Sequence, residues 1–265
     1  NKVEFSSKKN RMKSVANTEA AIKIFNASNS KNLRFLLEER FNWMNSFIKE
    51  NEVGLEVGSG AGFAKHFINN KNFKLSDLSE DKHLDFKNID AQETKFKDST
   101  FDYIIASNMI HHVPFPIKFF REMNRILKKN GRLIIFESYC SLTFQIATIL
   151  MKHEGYDFTL NVWDEKNPKS DAHDVWAGNI AVPHLIFDDK KKFNENLGKL
   201  FSIKFEELSE CLIFLNSGGV TSKTFYIPMN IFFLKILKSI DKLLIKFFPN
   251  IFAMGRKIVL KKEDL

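Results

Sequence analysis

Three features of the sequence predict an α/β protein with a parallel sheet and right-handed crossovers. Short β-rich runs alternate with helical stretches between residues 53 and 137. A glycine turn, Gly58-Ser59-Gly60-Ala61-Gly62, follows the first of those runs directly. An acid, Asp77, closes the second.

The elements follow in order. A short helix is expected over Asn17–Phe25. Residues 31–49 read as an amphipathic helix, with Leu33, Leu36, Leu37, Phe41, Met44, Phe47 and Ile48 at three-and-four spacing. Val53–Val57 is the first strand, and Phe63–Ile68 can start a helix. Phe73–Ser76 and Phe101–Ala106 are further strands. Ile117–Lys128 is a strong helix, stopped by Asn130-Gly131. Arg132–Glu137 is another strand. Beyond residue 140 the pattern loosens. Leu142–Met151 reads as a helix, 200–208 and 254–260 as late strands, and 228–248 as a helix rich in Phe, Ile, Leu and Lys. Residues 153–188 are mixed and read as an insertion or lid.

A chain of 265 residues suits one domain with an embellishment. It divides into a helical segment (1–49), a binding core (50–140), the insertion (141–199), and late strands with a basic helix (200–265). Hydrophobic residues make up 44% and charged residues 27%, which argues against extensive disorder. The net charge is +8, but Lys, Asn, Ile and Phe are all overused, a bias an AT-rich genome can impose. The charge is therefore not read as a nucleic-acid signal. Cys140 and Cys211 form no C-x-x-C pair, which excludes zinc knuckles and disulfide scaffolds and suits a reduced, cytoplasmic setting. Asn1–Glu4 opens no apolar h-region, so no signal peptide is expected. No apolar run reaches eighteen residues.

The glycine turn allows a ligand to approach backbone N–H groups. Its spacing is G-x-G-x-G, and Phe63 stands where a dinucleotide fingerprint needs glycine, which disfavours a dehydrogenase. Glu56, two residues before Gly58, is awkward beside a pyrophosphate and suits an ammonium group. Asp77 at a strand end can take two ribose hydroxyls. Asp90-Ala91 falls at the next expected strand end, where a carboxylate can accept from an adenine amino group. Phe101-Asp102-Tyr103-Ile104 opens a strand that ends at Ser107. His111-His112-Val113 lies just beyond it, and Leu127-Lys128-Lys129-Asn130-Gly131 comes before the next strand.

This ordered series resembles the class I S-adenosylmethionine-dependent methyltransferases, the type-11 branch in particular, over residues 53–137. One position departs from the pattern, Asn130 in place of a glycine. The resemblance implies a Rossmann-like, mostly parallel seven-stranded sheet with helices on both faces. It implies S-adenosylmethionine as cofactor and S-adenosylhomocysteine as product. Glu56 would hold the methionine ammonium, and Gly58, Gly60 and Gly62 would leave room for the cofactor. Asp77 and Leu78 would meet the ribose, Asp90 and Ala91 the adenine end, and Ser107 the end of strand four. Segments 176–184 and 217–221 are similar, more loosely, to relatives associated with surface-polysaccharide genes.

His111 and His112 fall where donor and acceptor should meet. Either can take a proton from the acceptor, or hold the loop by a backbone hydrogen bond. In the insertion, His153, His173 and His184 accompany Asp157, Asp164, Asp171 and Asp174 with no H-x-x-x-H spacing, so a solvated acidic loop is expected and no metal. Trp163 and Trp176 can stack on a sugar or cap the core. Cys140 lacks the preceding proline of cytosine-C5 enzymes and reads as an ordinary small residue. Ser107–Ile110 lacks the D/N-P-P-Y/F motif of DNA amino-methylating enzymes, so no nucleic-acid partner is expected. Residues 231–265 hold eight Lys/Arg and three Asp/Glu. Lys235, Lys238, Lys242 and Lys246 make 231–248 either a core-covering helix or one that lies on the inner membrane surface. The expected function is methyl transfer, preferably to oxygen, on a small molecule or glycan, with a lipid-linked acceptor allowed. The alternatives are a lipid or quinone-like acceptor and a non-catalytic cofactor-binding subunit.

Overall fold

The computed structural model describes residues 18–27, 29–151, 154–174, 176–220 and 224–263. Asn17, His153 and Thr221, singled out above, lie outside them. The elements are α1 (Thr18–Asn26), α2 (Lys31–Phe41), β1 (Gly54–Val57), β2 (Phe73–Ser76), β3 (Phe101–Ser107), α3 (Pro116–Ile126), β4 (Leu127–Ser138) and α4 (Leu142–Met151). They continue with α5 (Val182–Phe187), α6 (Lys190–Leu197), β5 (Phe201–Ser209), α7 (Leu212–Leu215), α8 (Ile231–Phe247), α9 (Pro249–Phe252) and β6 (Gly255–Lys262).

One sheet runs β2-β1-β3-β4-β6-β5. The pairs among β2, β1, β3 and β4 are parallel, and β6 is antiparallel to both its neighbours. Alternate residues feed two cores, as the two-residue period of a strand requires. Leu55, Ile104, Leu133 and Ile135 pack with Phe119, Phe120 and Met123 of α3 and with Phe187 of α5. Tyr103, Ile105, Ile134 and Phe136 pack on the other face with Phe25 of α1 and Leu33, Leu37 and Phe41 of α2. The chain leaves β1 toward β2, then returns to add β3 on β1's other side. The topological switch point therefore lies at the C-terminal ends of β1 and β3, where open parallel sheets bind ligands.

The sheet has six strands among the described residues, not seven. The segment before Asp90 makes only an isolated bridge, Phe86 to Ser76. Its apolar residues, Leu84, Phe86 and Ile89, are interrupted by Asp85, Lys87 and Asn88. A side chain replaces part of the ladder: Asp85 accepts the Leu75 backbone N–H at 2.9 Å, and Lys74 Nζ holds its other oxygen at 2.9 Å. The helix expected at 63–68 is a single 3₁₀ turn, Phe63–His66. The asparagines behind it form other hydrogen bonds instead, Asn45 Oδ1 accepting from Asn69 N–H across 24 residues and Asn70 Oδ1 from Asn72 N–H locally. The helix expected over 31–49 ends at Phe41 and continues as a 3₁₀ stretch, Asn42–Phe47. Trp43 Nε1 donates to the Arg40 carbonyl there. The α3 helix stops at Ile126, earlier than expected, because Ser99 and Thr100 take its last carbonyls and Leu127 pairs with Phe101.

Candidate active site

A cavity of about 640 Å³ opens at the switch point. At one end stand Glu56, Gly58, Ser59, Gly60 and Asp77, and farther along Leu78, Ile89, Asp90 and Ala91. Ser107, His111 and His112 lie beside them, with Glu154 and Trp176 from the insertion. Every residue assigned to the cofactor from sequence lines this cavity except Gly62. All three glycines have positive φ (66°, 50° and 71°). A side chain on Gly60 would stand in open space, whereas one on Gly62 would strike His83 and Leu75. Gly62 therefore serves the turn and its packing.

Glu56 is buried, and its Oε2 has no hydrogen-bond partner. Burial pushes its carboxyl up to about 8; the Ser59 hydroxyl opposes this and the Asp77 charge adds to it. A buried, unpartnered carboxylate oxygen facing a cavity calls for a cationic or hydrogen-bond-donating ligand. That acceptor fits the ammonium end of S-adenosylmethionine. Asp77 Oδ2 accepts from Gly60 N–H at 2.8 Å and Oδ1 from Ser79 N–H at 2.9 Å. Each oxygen keeps lone-pair capacity for a further donor. Asp90 is exposed and forms an Asx turn, accepting from Gln92 N–H at 2.8 Å.

The other end is built around the two histidines, which share a 3₁₀ turn, Ile110–His112. His111 is buried between two carboxylates: Nδ1 lies 2.7 Å from Glu137 Oε2 and Nε2 lies 3.0 Å from Glu154 Oε2. Burial opposes its protonation, but the charges of Glu137 and Glu154 outweigh that and push its pKa up to about 10. His112 Nδ1 is 3.2 Å from the Ala177 carbonyl oxygen and Nε2 is 3.4 Å from Glu154 Oε1. Burial and the neighbouring His111 drive its pKa down to about 4. Neither histidine is poised near neutrality as a general base.

The insertion is sewn to this turn. Asn179 N–H donates to the His111 carbonyl at 2.9 Å, the Ser170 hydroxyl to the His112 carbonyl at 2.6 Å, and Lys169 N–H to the Pro114 carbonyl at 2.7 Å. Trp176 and Ile180 reach the cavity, whereas His184 pairs with Asp188 at 2.8 Å outside it. His173 is exposed, and Trp163 packs on the core. Cys140 is buried with its thiol pushed up to about 12, unsuited to nucleophilic work.

Sequence reasoning missed Glu137 and Glu154, whose roles come from contacts remote in sequence. It also missed Arg40 and Glu210, a buried pair at 2.5 Å on the cavity wall, with the guanidinium over Phe136 and Phe214. Nearby, Phe144, Ile180, Phe214 and Met254 line the cavity and belong to the same apolar cluster as Leu234 and Leu237 of α8. Only Leu234, Asp241 and Ile245 of α8 are buried. Asp241 accepts backbone N–H bonds from Cys211, Leu212 and Ile213 at 2.8–3.1 Å, which fastens α8 to the start of α7. Phe232, Phe233, Ile236, Leu243 and Phe247 are exposed, Phe247 at 66%. No helix among the described residues is long and apolar enough to cross a membrane.

Residues 55–135 match the family model of a methyltransferase domain. The chain is 26% identical over 132 residues to a phosphatidylethanolamine N-methyltransferase of Cereibacter sphaeroides, covering 50% of this chain and 58% of that protein. It is 30% identical over 122 residues to the ubiquinone/menaquinone biosynthesis C-methyltransferase UbiE of Rickettsia massiliae, covering 36% and 49%. The chain thus spans about half the length of these curated relatives. Among solved structures it is similar to a SAM-dependent methyltransferase of Thermotoga maritima, at 16% identity, covering 92% of this chain and 99% of that one, with a TM-score of 0.48.

Proposed function

We propose that this chain, which carries a class I methyltransferase domain, moves a methyl group from S-adenosylmethionine to a lipid-linked acceptor presented at a membrane surface. The observation that carries the cofactor half is the unpartnered, buried Glu56 oxygen beside Gly58 and Asp77 at the switch point. Glu56 would face the ammonium, Asp77 the ribose hydroxyls, and Leu78, Asp90 and Ala91 the adenine end. When bound, the cofactor supplies a methyl carbon made electrophilic by its sulfonium, so transfer is an in-line displacement. The chain's own contribution is positioning and exclusion of water. His111, fixed by Glu137 and Glu154, and His112, fixed by Ala177, would shape the acceptor end and orient the attacking oxygen.

The acceptor half rests on the apolar wall of Phe144, Phe214 and Met254, which is continuous with α8 and its exposed phenylalanines. A free sugar does not need such a wall, but a lipid-linked glycan or quinone-like ring does. The curated relatives named above fit that class of acceptor. The test is incubation of the full chain with methyl-labelled S-adenosylmethionine and bacterial membranes, followed by solvent extraction. Label is expected in the organic phase. Label confined to water-soluble products would overturn the acceptor reading, and absence of S-adenosylhomocysteine binding would overturn the cofactor reading.

A further inference from the structure

The geometry points to a divalent transition-metal site formed by His111 Nε2, His112 Nε2 and Glu154 at the acceptor end of the cavity, of the Zn²⁺ class, with a position left open for an acceptor hydroxyl. The three ligand atoms lie within 4.8 Å of one another and all three residues line the cavity. Glu154 Oε2 stands 3.0 Å from His111 Nε2, and Oε1 stands 3.4 Å from His112 Nε2. Ligands bound at about 2.0–2.1 Å around a tetrahedral ion are separated by about 3.3 Å. The two distances run to different oxygens of the one carboxylate, which therefore reaches both imidazole nitrogens.

Hydrogen-bond accounting favours an ion between these atoms. Neutral His112 has one donor nitrogen and one acceptor nitrogen, and both of its neighbours are oxygens: the Ala177 carbonyl and Glu154. With Nδ1–H donating to Ala177, Nε2 turns its lone pair toward Glu154. A cation between Nε2 and Glu154 would take that lone pair and keep Nδ1–H on Ala177. In His111, Nδ1–H donates to Glu137 at 2.7 Å, and Nε2 is the nitrogen turned toward Glu154 and the ion. Histidine ligands hold their other ring nitrogen in this way, on a carboxylate or a backbone carbonyl. Glu137 is itself fixed by the backbone N–H groups of Ile110 at 2.6 Å and Ser138 at 3.1 Å. Two imidazoles and one carboxylate suit zinc, and catalytic sites of this donor count keep a fourth position open.

The expectation of no metal considered only the insertion's own histidines. The site instead joins the turn after β3 to Glu154, a pairing that only the fold creates. Its occupancy does not depend on the methyltransferase reading, but its role does. An acceptor hydroxyl bound to the ion would lose its proton to solvent more readily and be aimed from the far side of the cofactor end. That would supply the activation for which neither histidine alone is suited.

The test uses the untagged full chain, stripped with chelator. Zn²⁺ titration by calorimetry should show one equivalent per chain, and Co²⁺ should give visible d–d bands displaced from the aqueous ion. Glu154→Gln and His112→Gln should each weaken binding at least tenfold, and Glu137→Gln by 10- to 100-fold. S-adenosylhomocysteine affinity and circular dichroism, read in parallel, show that the variants are folded. No saturable Zn²⁺ binding, an aqueous Co²⁺ spectrum in the wild type, or equal affinity in folded Glu154→Gln would each overturn the proposal. Zn²⁺ binding without S-adenosylhomocysteine binding would sustain the site and remove the methyltransferase reading.

Discussion

Asp77 accepts the backbone N–H of Gly60 through Oδ2 at 2.8 Å. The carboxylate assigned to the ribose therefore also holds the glycine turn in place, and the two tasks can be separated by substitution. Asp77→Asn keeps one oxygen for the turn and loses the charge. Asp77→Ala loses both. S-adenosylhomocysteine affinity is expected to fall about tenfold in Asp77→Asn and a further tenfold or more in Asp77→Ala, since charge-assisted hydrogen bonds contribute roughly 1.5–3 kcal/mol each. Calorimetry checks this. Equal affinity in wild type and Asp77→Ala would place the ribose elsewhere.

Glu56 yields a prediction about pH. Its carboxyl titrates at about 8 in the folded chain, above its ordinary value of 4.5. Between those values the native state keeps a proton that the unfolded chain has lost. The stability tied to this group is thus fully present below pH 4.5 and is lost as pH rises toward 8. The loss is about 1.4 kcal/mol for each pH unit of that window. Glu56→Gln cannot titrate. Denaturant unfolding should show the variant gaining on the wild type from pH 5 to pH 8, then a constant difference. The same variant should bind S-adenosylhomocysteine more weakly at pH 8, where the wild type offers a carboxylate. A stability difference that does not change with pH would contradict the assignment.

The binding core was legible in the sequence because its signals are local. Val53–Val57, the glycine turn and Asp77 are adjacent or nearly so, and short buried runs between breakers read directly as strands. What stayed hidden depends on contacts across the chain. Glu137 meets His111 from 26 residues away, and Glu154 from farther still. Nothing in the run Phe136-Glu137-Ser138 marks a strand-end glutamate as a partner of a histidine. The strand expected to end at Asp90 does not form: Ser79–Ile89 is mostly polar, and Asp85 takes the Leu75 N–H in place of a ladder partner. The turn at Phe63–His66 fell short of a helix because Asn69 and Asn70 found partners of their own.

Asn179 links the insertion to the site. Its side-chain oxygen accepts from Asp157 N–H at 3.0 Å and Ala181 N–H at 3.1 Å, while its own N–H holds the His111 carbonyl. Asn179→Ala leaves two donors unpaired, at a cost of roughly 1–3 kcal/mol each where they stay buried. A lower melting temperature and a reduced methyl-transfer rate are expected. S-adenosylhomocysteine affinity should be unchanged, since the cofactor-end residues all precede the insertion. Loss of both activities in a folded variant would make the insertion part of the cofactor site.

The exposed side of α8 yields a prediction about membrane contact. Lys238 is engaged by Glu39 at 2.5 Å, so it faces the body of the protein. Lys235, Lys242 and Lys246 are exposed among Phe232, Phe233, Leu243 and Phe247. The helix α4, packed on α9 beside it, exposes Leu142, Ile146, Ile149 and Leu150. A helix that only covered a core would bury its phenylalanines and leave lysines to the solvent, whereas this one exposes both, the pattern of a helix lying in a lipid interface. Each exposed lysine near an anionic leaflet contributes about 1 kcal/mol, a contribution that salt screens. The full chain should therefore sediment with phosphatidylglycerol vesicles, less with phosphatidylcholine vesicles, and less with phosphatidylglycerol vesicles at high salt. Replacing Phe232, Phe233 and Phe247 together with serine should release it from both while leaving S-adenosylhomocysteine affinity intact, because none of the three lines the cavity. Retention of the triple variant equal to wild type would assign the binding to charge alone, and the apolar wall inside the cavity would then need an explanation other than a membrane-borne acceptor.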